Sequence, residues 1–325
     1  MSSNAETSTS NHIRIVGAIA GIGSGLTKVT VGHGFDTIKT RLQCSPPNTY
    51  RGAVDALFKI VRNEGVFALY KGATPPAMGW AAIDSLLMGS LHNYRLFLIR
   101  HGMTEPNPKT GVPRLTIMAH GLAGMCAGVT STIVATPVEN LKIKLQLQTQ
   151  RSAADRQFRG PLDCIRQIVR TQGVLGLWSG FTGSIAFRTN FFWMFSSVEV
   201  LMRGFSRLEG TSYEMSTGTS TFLAGGLGSL VFWIMSIPAD NTKNRMMAYP
   251  YPAPYSAPPG GKFGVPSFAT TVRTTYLREG VSGFYRGLGP CILRAFPVNA
   301  CAYFVYEGIL RGLGAEKVEC RFYAS

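Results

Sequence analysis

The sequence has few charged residues and, among them, few acids. Asp, Glu, Lys and Arg make up 15% of the 325 residues, against about 25% in an average soluble domain. Only 17 residues are acidic while 32 are basic, which gives a formal charge of +15. Such a charge suits nucleic acid or an anionic lipid surface. The basic residues lie mostly between apolar stretches and not in one amphipathic cluster, which favours lipid headgroups over nucleic acid.

Sequence patterns of metal sites, enzymes and nucleotide-binding proteins are missing. The six cysteines form no C-x-x-C pair, and no metal-ligand spacing is present. The five histidines are dispersed, and neither H-E-x-x-H nor G-x-S-x-G occurs. The phosphate-binding patterns G-x-G-x-x-G and G-K-[ST] are also missing. We therefore expect no enzyme, no cofactor and no bound metal.

Two short phrases occur three times each, at intervals of about 100 residues. The first phrase reads GFDTIKTR at 34–41, PVENLKIK at 137–144 and PADNTKNR at 238–245. The second phrase follows each first one and reads EGVFALYKG at 64–72, QGVLGLWSG at 172–180 and EGVSGFYRG at 279–287. Two linked phrases that recur in register indicate three copies of one structural unit.

Each unit consists of two apolar segments on either side of a short amphipathic one. The apolar segments are long enough to cross a bilayer core of about 30 Å. They span 12–43, 74–100, 115–147, 182–206, 219–247 and 288–311. The amphipathic segments lie near 52–64, 160–171 and 267–278. The sequence therefore predicts an all-α membrane protein with six transmembrane helices and three short helices.

Small residues recur at four-residue spacing in the odd-numbered apolar segments. The spacings are Gly17-x-x-x-Gly21-x-x-x-Gly25, Gly124-x-x-x-Gly128 and Ala224-x-x-x-Gly228. Such spacing allows neighbouring helices to approach closely. The alternative is loosely packed apolar helices that contain incidental glycines.

The two phrases resemble the motifs of the mitochondrial carrier family of inner-membrane solute transporters. The shared pattern is P-x-[DE]-x-x-[KR]-x-[KR] followed by [DE]-G-x-x-x-x-[WYF]-[KR]-G, and the resemblance runs from about residue 12 to 312. Gly34, Gln172 and Ser179 depart from it. The resemblance implies a monomeric, multi-pass barrel of six helices with threefold pseudosymmetry. The implied units are an N-terminal tail 1–11, repeats 12–104, 113–210 and 217–312, and a C-terminal tail 313–325.

The acid and the base of each first phrase lie three residues apart and share a helix face. The resemblance implies a ring of ion pairs at the matrix end, in which the acid of one helix meets the base of the next. The implied pairs are Asp36–Lys142, Glu139–Lys243 and Asp240–Lys39. Local pairs within each helix are the alternative, but charges in apolar segments favour the ring. Gln43 and Gln146 match the family's bracing glutamines, whereas Met247 stands at the third position.

Two further sets of residues follow from the resemblance. On the even helices the family carries [FY]-[DE]-x-x-[KR] as a cytoplasmic gate, of which only fragments remain here. The fragments are His92, Arg95, Glu199 and Glu307, and ordinary interface charges are the alternative. Glycines that precede helices are the predicted contacts of cardiolipin phosphates, because helix N-termini attract phosphate. These glycines are Gly52, Gly72, Gly160, Gly180, Gly264 and Gly287.

Three ionisable residues lie in the inner halves of the even helices: Asp84, Arg188 and Arg294. Two cations and one anion within a cavity suit a substrate with both a carboxylate and an amine. The alternative is that Asp84 only neutralises an arginine. The contact points that the resemblance implies also include Gly79, Trp80, Ile83 and Phe187, and we assign Asn299 to the same set.

The stretch RAFPVNACAYFVYE at 294–307 resembles carriers of carnitine esters and basic amino acids. We therefore predict an inner-membrane carrier that moves an amino acid or a carnitine-like zwitterion by alternating access. A carrier of dicarboxylates, keto acids or other anions is the first alternative. A carrier-like receptor or scaffold that does not transport is the second. The expected partners are a small-molecule solute and membrane lipids, and no nucleic acid is expected.

Overall fold

The computed structural model describes residues 2–46, 48–108, 111–150, 156–208, 210–211, 213–249, 266–294 and 297–298, together with residues 301, 305 and 309. Side chains are described from residue 23 onward. Within these ranges the chain is helical except for its connections and two strands of three residues each. The strands, β1 (Thr104–Pro106) and β2 (Pro113–Leu115), pair antiparallel.

Long and short helices alternate in the order that the three repeats predict. The long helices are α1 (Ser2–Cys44), α3 (Thr74–Arg100), α4 (Ile117–Gln146), α6 (Phe181–Arg188), α7 (Phe191–Ser206), α8 (Thr217–Ala248) and α10, which begins at residue 288. The short helices are α2 (Ala53–Glu64), α5 (Pro161–Gln172) and α9 (Phe268–Glu279). Each short helix follows an odd-numbered long segment and precedes an even one. Helix α1 also includes residues 2–11, which were assigned to a tail.

Hydroxyl side chains cap three of these helices at their N-termini. The Thr116 hydroxyl accepts a hydrogen bond from the Ala119 amide at the start of α4, over 3.1 Å. The hydroxyls of Ser216 and Ser267 accept in the same way at the starts of α8 and α9. An N-cap hydroxyl satisfies one of the four amide groups that a helix start leaves unpaired. These caps explain why the helices begin where they do.

The second phrase forms the same turn in all three repeats. The short helix ends at a glycine with positive φ, and a 3₁₀ turn follows at Val66–Tyr70, Val174–Trp178 and Val281–Tyr285. A second glycine with positive φ then precedes the even helix, at Gly72, Gly180 and Gly287. A Cβ atom at Gly72 would also lie 2.8 Å from the Lys142 carbonyl oxygen. The backbone therefore requires glycine here.

Small residues let α4 and α8 pack closely against the fourth segment. A Cβ atom at Gly128 would lie 2.7 Å from the Arg188 carbonyl oxygen, and one at Gly228 would lie 2.5 Å from Val198. Gly124 contacts the Phe195 ring in the same way. The predicted close approach is confirmed at these positions. At Gly25 a Cβ atom would meet no heavy atom of the described residues within 4 Å, so close approach there stays a prediction.

The fourth transmembrane segment is broken, although the sequence predicts one helix over 182–206. Helix α6 ends at Arg188 and α7 begins at Phe191. The side-chain amide of Asn190 donates to the carbonyl oxygens of Ala186 and Phe187, over 2.8 and 3.3 Å. An asparagine that bonds to its own backbone competes with helical hydrogen bonds. The break directly follows Arg188, a predicted substrate residue.

By length and composition alone, two of the described helices could cross a membrane: Ile117–Gln146 and Gly218–Ala248. The other long helices carry more polar residues, as Asp84, His92 and Arg95 show for α3. Charged residues inside a spanning helix are tolerated where they face the interior of a bundle or a water-filled cavity.

Candidate functional site

A cavity of about 410 Å³ lies between the long helices and is lined by an excess of cations. Its acidic residues are Asp36, Asp84, Glu139 and Asp240. Its basic residues are Lys28, Lys39, Lys142, Arg188, Lys243 and Arg294. Aromatic side chains, among them Trp80 and Trp233, complete the wall. The size and the mixed charge suit a small ligand that carries a negative group.

Three ion pairs between the odd helices form a ring at one end of this cavity. Asp36 accepts from Lys142 over 2.5 Å, which joins α1 to α4. Glu139 accepts from Lys243 over 2.9 Å, and Asp240 accepts from Lys39 over 2.7 Å, so α4 joins α8 and α8 joins α1. These are the pairs that the resemblance implied. The ring lies about two turns before the C-terminal ends of the three helices.

The two cavity arginines also contact acids of the ring. Arg188 Nη2 lies 2.8 Å from Glu139 Oε1, and Arg294 forms an ion pair with Asp36. Arg188 Nη1 donates to the Ser131 hydroxyl over 2.9 Å. Two acids of the ring therefore have both a lysine and an arginine as partners. Both arginines are predicted substrate residues, and their link to the ring is visible only in the tertiary structure.

Only one of the two predicted glutamine braces is present. The Gln43 amide donates to Asp240 over 3.1 Å and so supports the Lys39–Asp240 pair. Gln146 instead donates to Thr37 and approaches His33, while its oxygen accepts from Thr40. The predicted brace at Gln146 is wrong, because polar side chains of α1 occupy its amide.

Aromatic rings support two of the ring lysines. Lys39 Nζ lies 4.8 Å from the centroid of the Trp233 ring, and Lys243 Nζ lies 4.2 Å from that of Phe187. At these distances a cation is attracted by the face of an aromatic ring. Trp233 was not singled out in the sequence, although it lies seven residues before Asp240, about two helical turns.

The predicted substrate residues Trp80, Ile83 and Asp84 line the same cavity as Phe187 and both arginines. Gly79 does not line it, because it packs against Val138 of α4, where a Cβ atom would lie 2.7 Å from Val138 Cγ2. Its role as a substrate contact stays a prediction. Asn299 lies outside the described residues.

Asp84 differs from the other cavity acids because it is exposed to the cavity and has no ion pair within the described ranges. Both arginines that it could neutralise already contact Glu139 and Asp36. No ion pair joins Asp84 to either arginine among the described side chains, although the Arg188 charge acts on Asp84. An unpaired carboxylate in a cavity is a group that can bind a cation.

Comparison with known proteins agrees with this geometry. A family model described as mitochondrial carrier protein matches residues 14–102, 113–209 and 215–317. The chain belongs to the mitochondrial carrier family. Its all-helical, triple-repeat architecture is that of the family. Family members are transporters and not enzymes, and the chain is accordingly a carrier of a small charged solute.

Relatives of this carrier cover nearly its whole length. The mitochondrial substrate carrier family protein L of Dictyostelium discoideum is 31% identical over 294 residues, which are 90% of this chain and 94% of the relative. The mitochondrial basic amino acids transporter of Bos taurus is 32% identical over 298 residues, 90% of either chain. The mitochondrial arginine transporter BAC1 of Arabidopsis thaliana is 31% identical over 313 residues, 92% of this chain and 94% of the relative.

Among the described residues at the opposite end, no ion pair joins the predicted gate residues of different even helices. Glu199 is bound by Arg203 on its own helix over 2.7 Å and is approached by His120 of α4 at 3.5 Å. Arg203 also pairs with Glu105, next to the strand pair. Glu199 is thus paired with residues of its own helix and of α4 in this structure, in which the ring of odd helices is closed. Its place in a gate between even helices stays a prediction.

The other predicted members of that gate have no acidic partner in the described part of α3. His92 is exposed. Arg95 lies over the Phe195 ring, with its guanidinium carbon 5.8 Å from the centroid. Glu307 lies outside the described residues. For His92 and Arg95 the gate and the alternative of ordinary interface charges both remain open.

Buried charge networks join the short helices to the ends of the odd helices in two repeats. In repeat one, Glu64 accepts from Arg41 over 3.0 Å and from Lys71 over 2.6 Å. In repeat three, Glu279 accepts from Arg245 and Arg286 over 2.8 and 3.1 Å. Burial lowers the pKa of Lys71, and the hydrogen bond and charge of Glu64 oppose that effect.

Repeat two lacks this network, because two uncharged residues stand at the positions of the acid and of the second base. Gln172 and Ser179 replace the acid and the base, and their side chains lie 3.4 Å apart.

We expect Glu64→Ala to lower the free energy of unfolding by about 3 kcal/mol or more, because it leaves the buried Arg41 without an acidic partner. The matched variant Gln172→Ala should cost about 1 kcal/mol.

Thermal unfolding of the purified carrier in detergent measures this difference. Glu64→Ala should lower the unfolding temperature clearly more than Gln172→Ala does. Equal shifts would contradict the view that the Glu64 network holds repeat one together more strongly than its counterpart holds repeat two.

Binding of cardiolipin at the glycines that precede helices stays a prediction. Gly52 and Gly160 precede α2 and α5, and no side chain caps the first amide groups of these helices. Gly264 lies outside the described residues. An apolar groove of about 450 Å³ adjoins Phe181, the first residue of α6. It is lined by Ile133, Leu175, Trp178 and Phe181.

Proposed function

We propose that this carrier moves a basic or zwitterionic amino acid across the inner mitochondrial membrane by alternating access. The observation that carries the proposal is Asp84, an unpaired carboxylate in a cavity whose other acids each have a basic partner. An amine or guanidinium group of the substrate would bind there. The neighbouring Trp80 ring can add attraction to the same cation.

The carboxylate of the substrate would bind the arginines at the ring. Arg188 and Arg294 offer several N–H donors each, and these form strong, charge-assisted hydrogen bonds with carboxylates. A substrate carboxylate would take the place of Glu139 or Asp36 as a partner of these arginines. Glu139 or Asp36 would then have only its ring lysine as a partner, and this loss would destabilise the closed ring.

This competition links binding to gating. Each buried pair of the ring offsets much of its Coulomb energy with the cost of desolvation, so the closed state is not separated from an open one by a large free energy. A ligand shifts such an equilibrium only if it binds the two states differently. A carboxylate that removes an arginine from Glu139 favours the state in which the Glu139–Lys243 pair is open.

A simple dicarboxylate fits this arrangement less well than an amino acid. It would leave one carboxylate facing Asp84 without a cation between them, and like charges at short range in a membrane cavity repel strongly. Two relatives have names that refer to basic amino acids and arginine, which supports the same substrate class. Carnitine, an ammonium carboxylate, also satisfies the charges.

Membrane lipid is the second partner that we propose. We also propose that the carrier acts as a monomer. Free amide groups at the starts of α2 and α5 can donate to phosphate oxygens. The groove beside Trp178 offers an apolar surface for acyl chains at the same end of the molecule. A phospholipid with several chains, such as cardiolipin, would use both features.

Uptake into proteoliposomes tests the proposed function. Purified carrier in vesicles preloaded with arginine is given labelled arginine, lysine, carnitine, malate or ADP. We expect uptake of the amino acids and none of malate or ADP. Selectivity for malate would favour the anion carrier. A carrier that binds arginine in a thermal-shift assay but moves no solute would favour the receptor or scaffold.

A further inference from the structure

Lys28 is the one cavity cation without an acidic partner in the part of the carrier that the structure describes. It lies on α1, about two helical turns before Asp36, and its side chain is exposed to the cavity. The five other cavity cations each form an ion pair with an acid of the ring. The sequence analysis did not select Lys28, because it belongs to neither repeated phrase.

Lys28 and Asp84 carry single, opposite and unpaired charges in the same cavity. No ion pair joins them among the described side chains, although the Lys28 charge is one of two that act on Asp84. A lone ammonium group in a transmembrane segment is costly unless it faces water or a ligand. A small molecule with a negative and a positive group would satisfy both residues at once.

We propose that Lys28 recognises the carboxylate of the incoming substrate and thereby lets the carrier distinguish amino acids from diamines. This inference rests on the function proposed above. The Lys28 ammonium offers three donors to a carboxylate. A diamine brings no carboxylate, so its second cation meets the Lys28 charge without compensation. Selectivity of this kind comes from repulsion of the wrong ligand as well as attraction of the right one.

The position of Lys28 separates its role from that of the arginines. Arg188 and Arg294 contact the ring acids and would meet the carboxylate only when the ring weakens. Lys28 lies about 12 Å from Asp36 along α1, at 1.5 Å per residue, and has no acidic partner among the described residues in the closed state. A substrate would therefore meet Lys28 and Asp84 first and the arginines afterwards.

Lysine and cadaverine are suitable probes, because cadaverine is lysine without its carboxyl group. Inhibition of labelled arginine uptake by each compound is measured in proteoliposomes. For Lys28→Gln we expect the inhibition constant of lysine to rise about tenfold or more, as for loss of a charge-assisted hydrogen bond. That of cadaverine should stay the same or fall. Lys28→Arg, which keeps the charge, should preserve the wild-type ratio of the two constants.

Lys59→Gln is the matched control, because Lys59 is an exposed residue of α2 whose side chain lies outside the cavity. It should leave both constants unchanged. If Lys28→Gln raises both constants equally or leaves their ratio unchanged while the wild type transports arginine, this inference is overturned and the proposed function stands. If the wild type transports no basic amino acid, both the proposed function and this inference are overturned.

Discussion

Asp240→Lys is expected to abolish transport, and adding Lys39→Asp to the same chain is expected to restore part of it. Asp240 is almost fully buried, at 1% exposure, and lies 2.7 Å from Lys39 and 3.2 Å from Lys243. The single variant places three cations together in a buried site. Breaking a buried pair costs about 3–5 kcal/mol, which corresponds to a loss of more than about 100-fold.

The double variant reverses the pair and leaves one acid between two cations. Initial rates of uptake, corrected for the amount of carrier in the vesicles, measure the recovery. A charge reversal of the exposed pair Asp55–Lys59 on α2 is the control and should leave uptake near the wild-type rate. Equal losses in the single and the double variant would contradict the pairing of Lys39 with Asp240.

Asp84→Asn is expected to remove uptake of basic amino acids while leaving the fold intact. Asparagine keeps the shape of the side chain but removes the charge that would bind the substrate cation. A hydrogen bond between charged groups contributes about 1.5–3 kcal/mol, so uptake should fall by about 10-fold to 100-fold. Because no described ion pair involves Asp84, the variant loses no internal partner.

Thermal unfolding and uptake together separate binding from folding. We expect Asp84→Asn to unfold at the wild-type temperature without ligand but to gain less stability from arginine, since a ligand stabilises only the state it binds. Asp55→Asn on the exposed face of α2 is the control. Wild-type uptake of arginine by Asp84→Asn would disprove the role of Asp84 in the substrate site.

The asymmetry of the three repeats bears on how the carrier opens. Repeats one and three are each tied to a short helix by a buried acid with two basic partners, Glu64 and Glu279. Repeat two has a glutamine and a serine there, and Lys144 donates to the Tyr249 carbonyl oxygen. We expect the connection between α4 and α5 to separate first when the ring opens.

The sequence predicts an element well where the structure of that element depends on residues adjacent in the chain. The short helices follow from the helical spacing of their apolar residues. The 3₁₀ turns and the glycines of positive φ, such as Gly72, lie within the second phrase, where the backbone depends on adjacent residues. The fourth segment is the exception. The sequence predicts one helix there, and the side chain of Asn190 breaks it by bonding to backbone carbonyls.

The sequence by itself determined the three repeats and the alternation of long and short helices, because repeated motifs and helical spacing are visible without coordinates. The three pairs of the ring were implied by the family resemblance, and the tertiary structure shows that they form between helices. Only the tertiary structure decided that Arg188 and Arg294 contact the ring, that Gln146 faces α1, and that Lys28 and Asp84 have no ion pair among the described residues. A charge pairs with its nearest partner in space, and that distance depends on how separate helices pack.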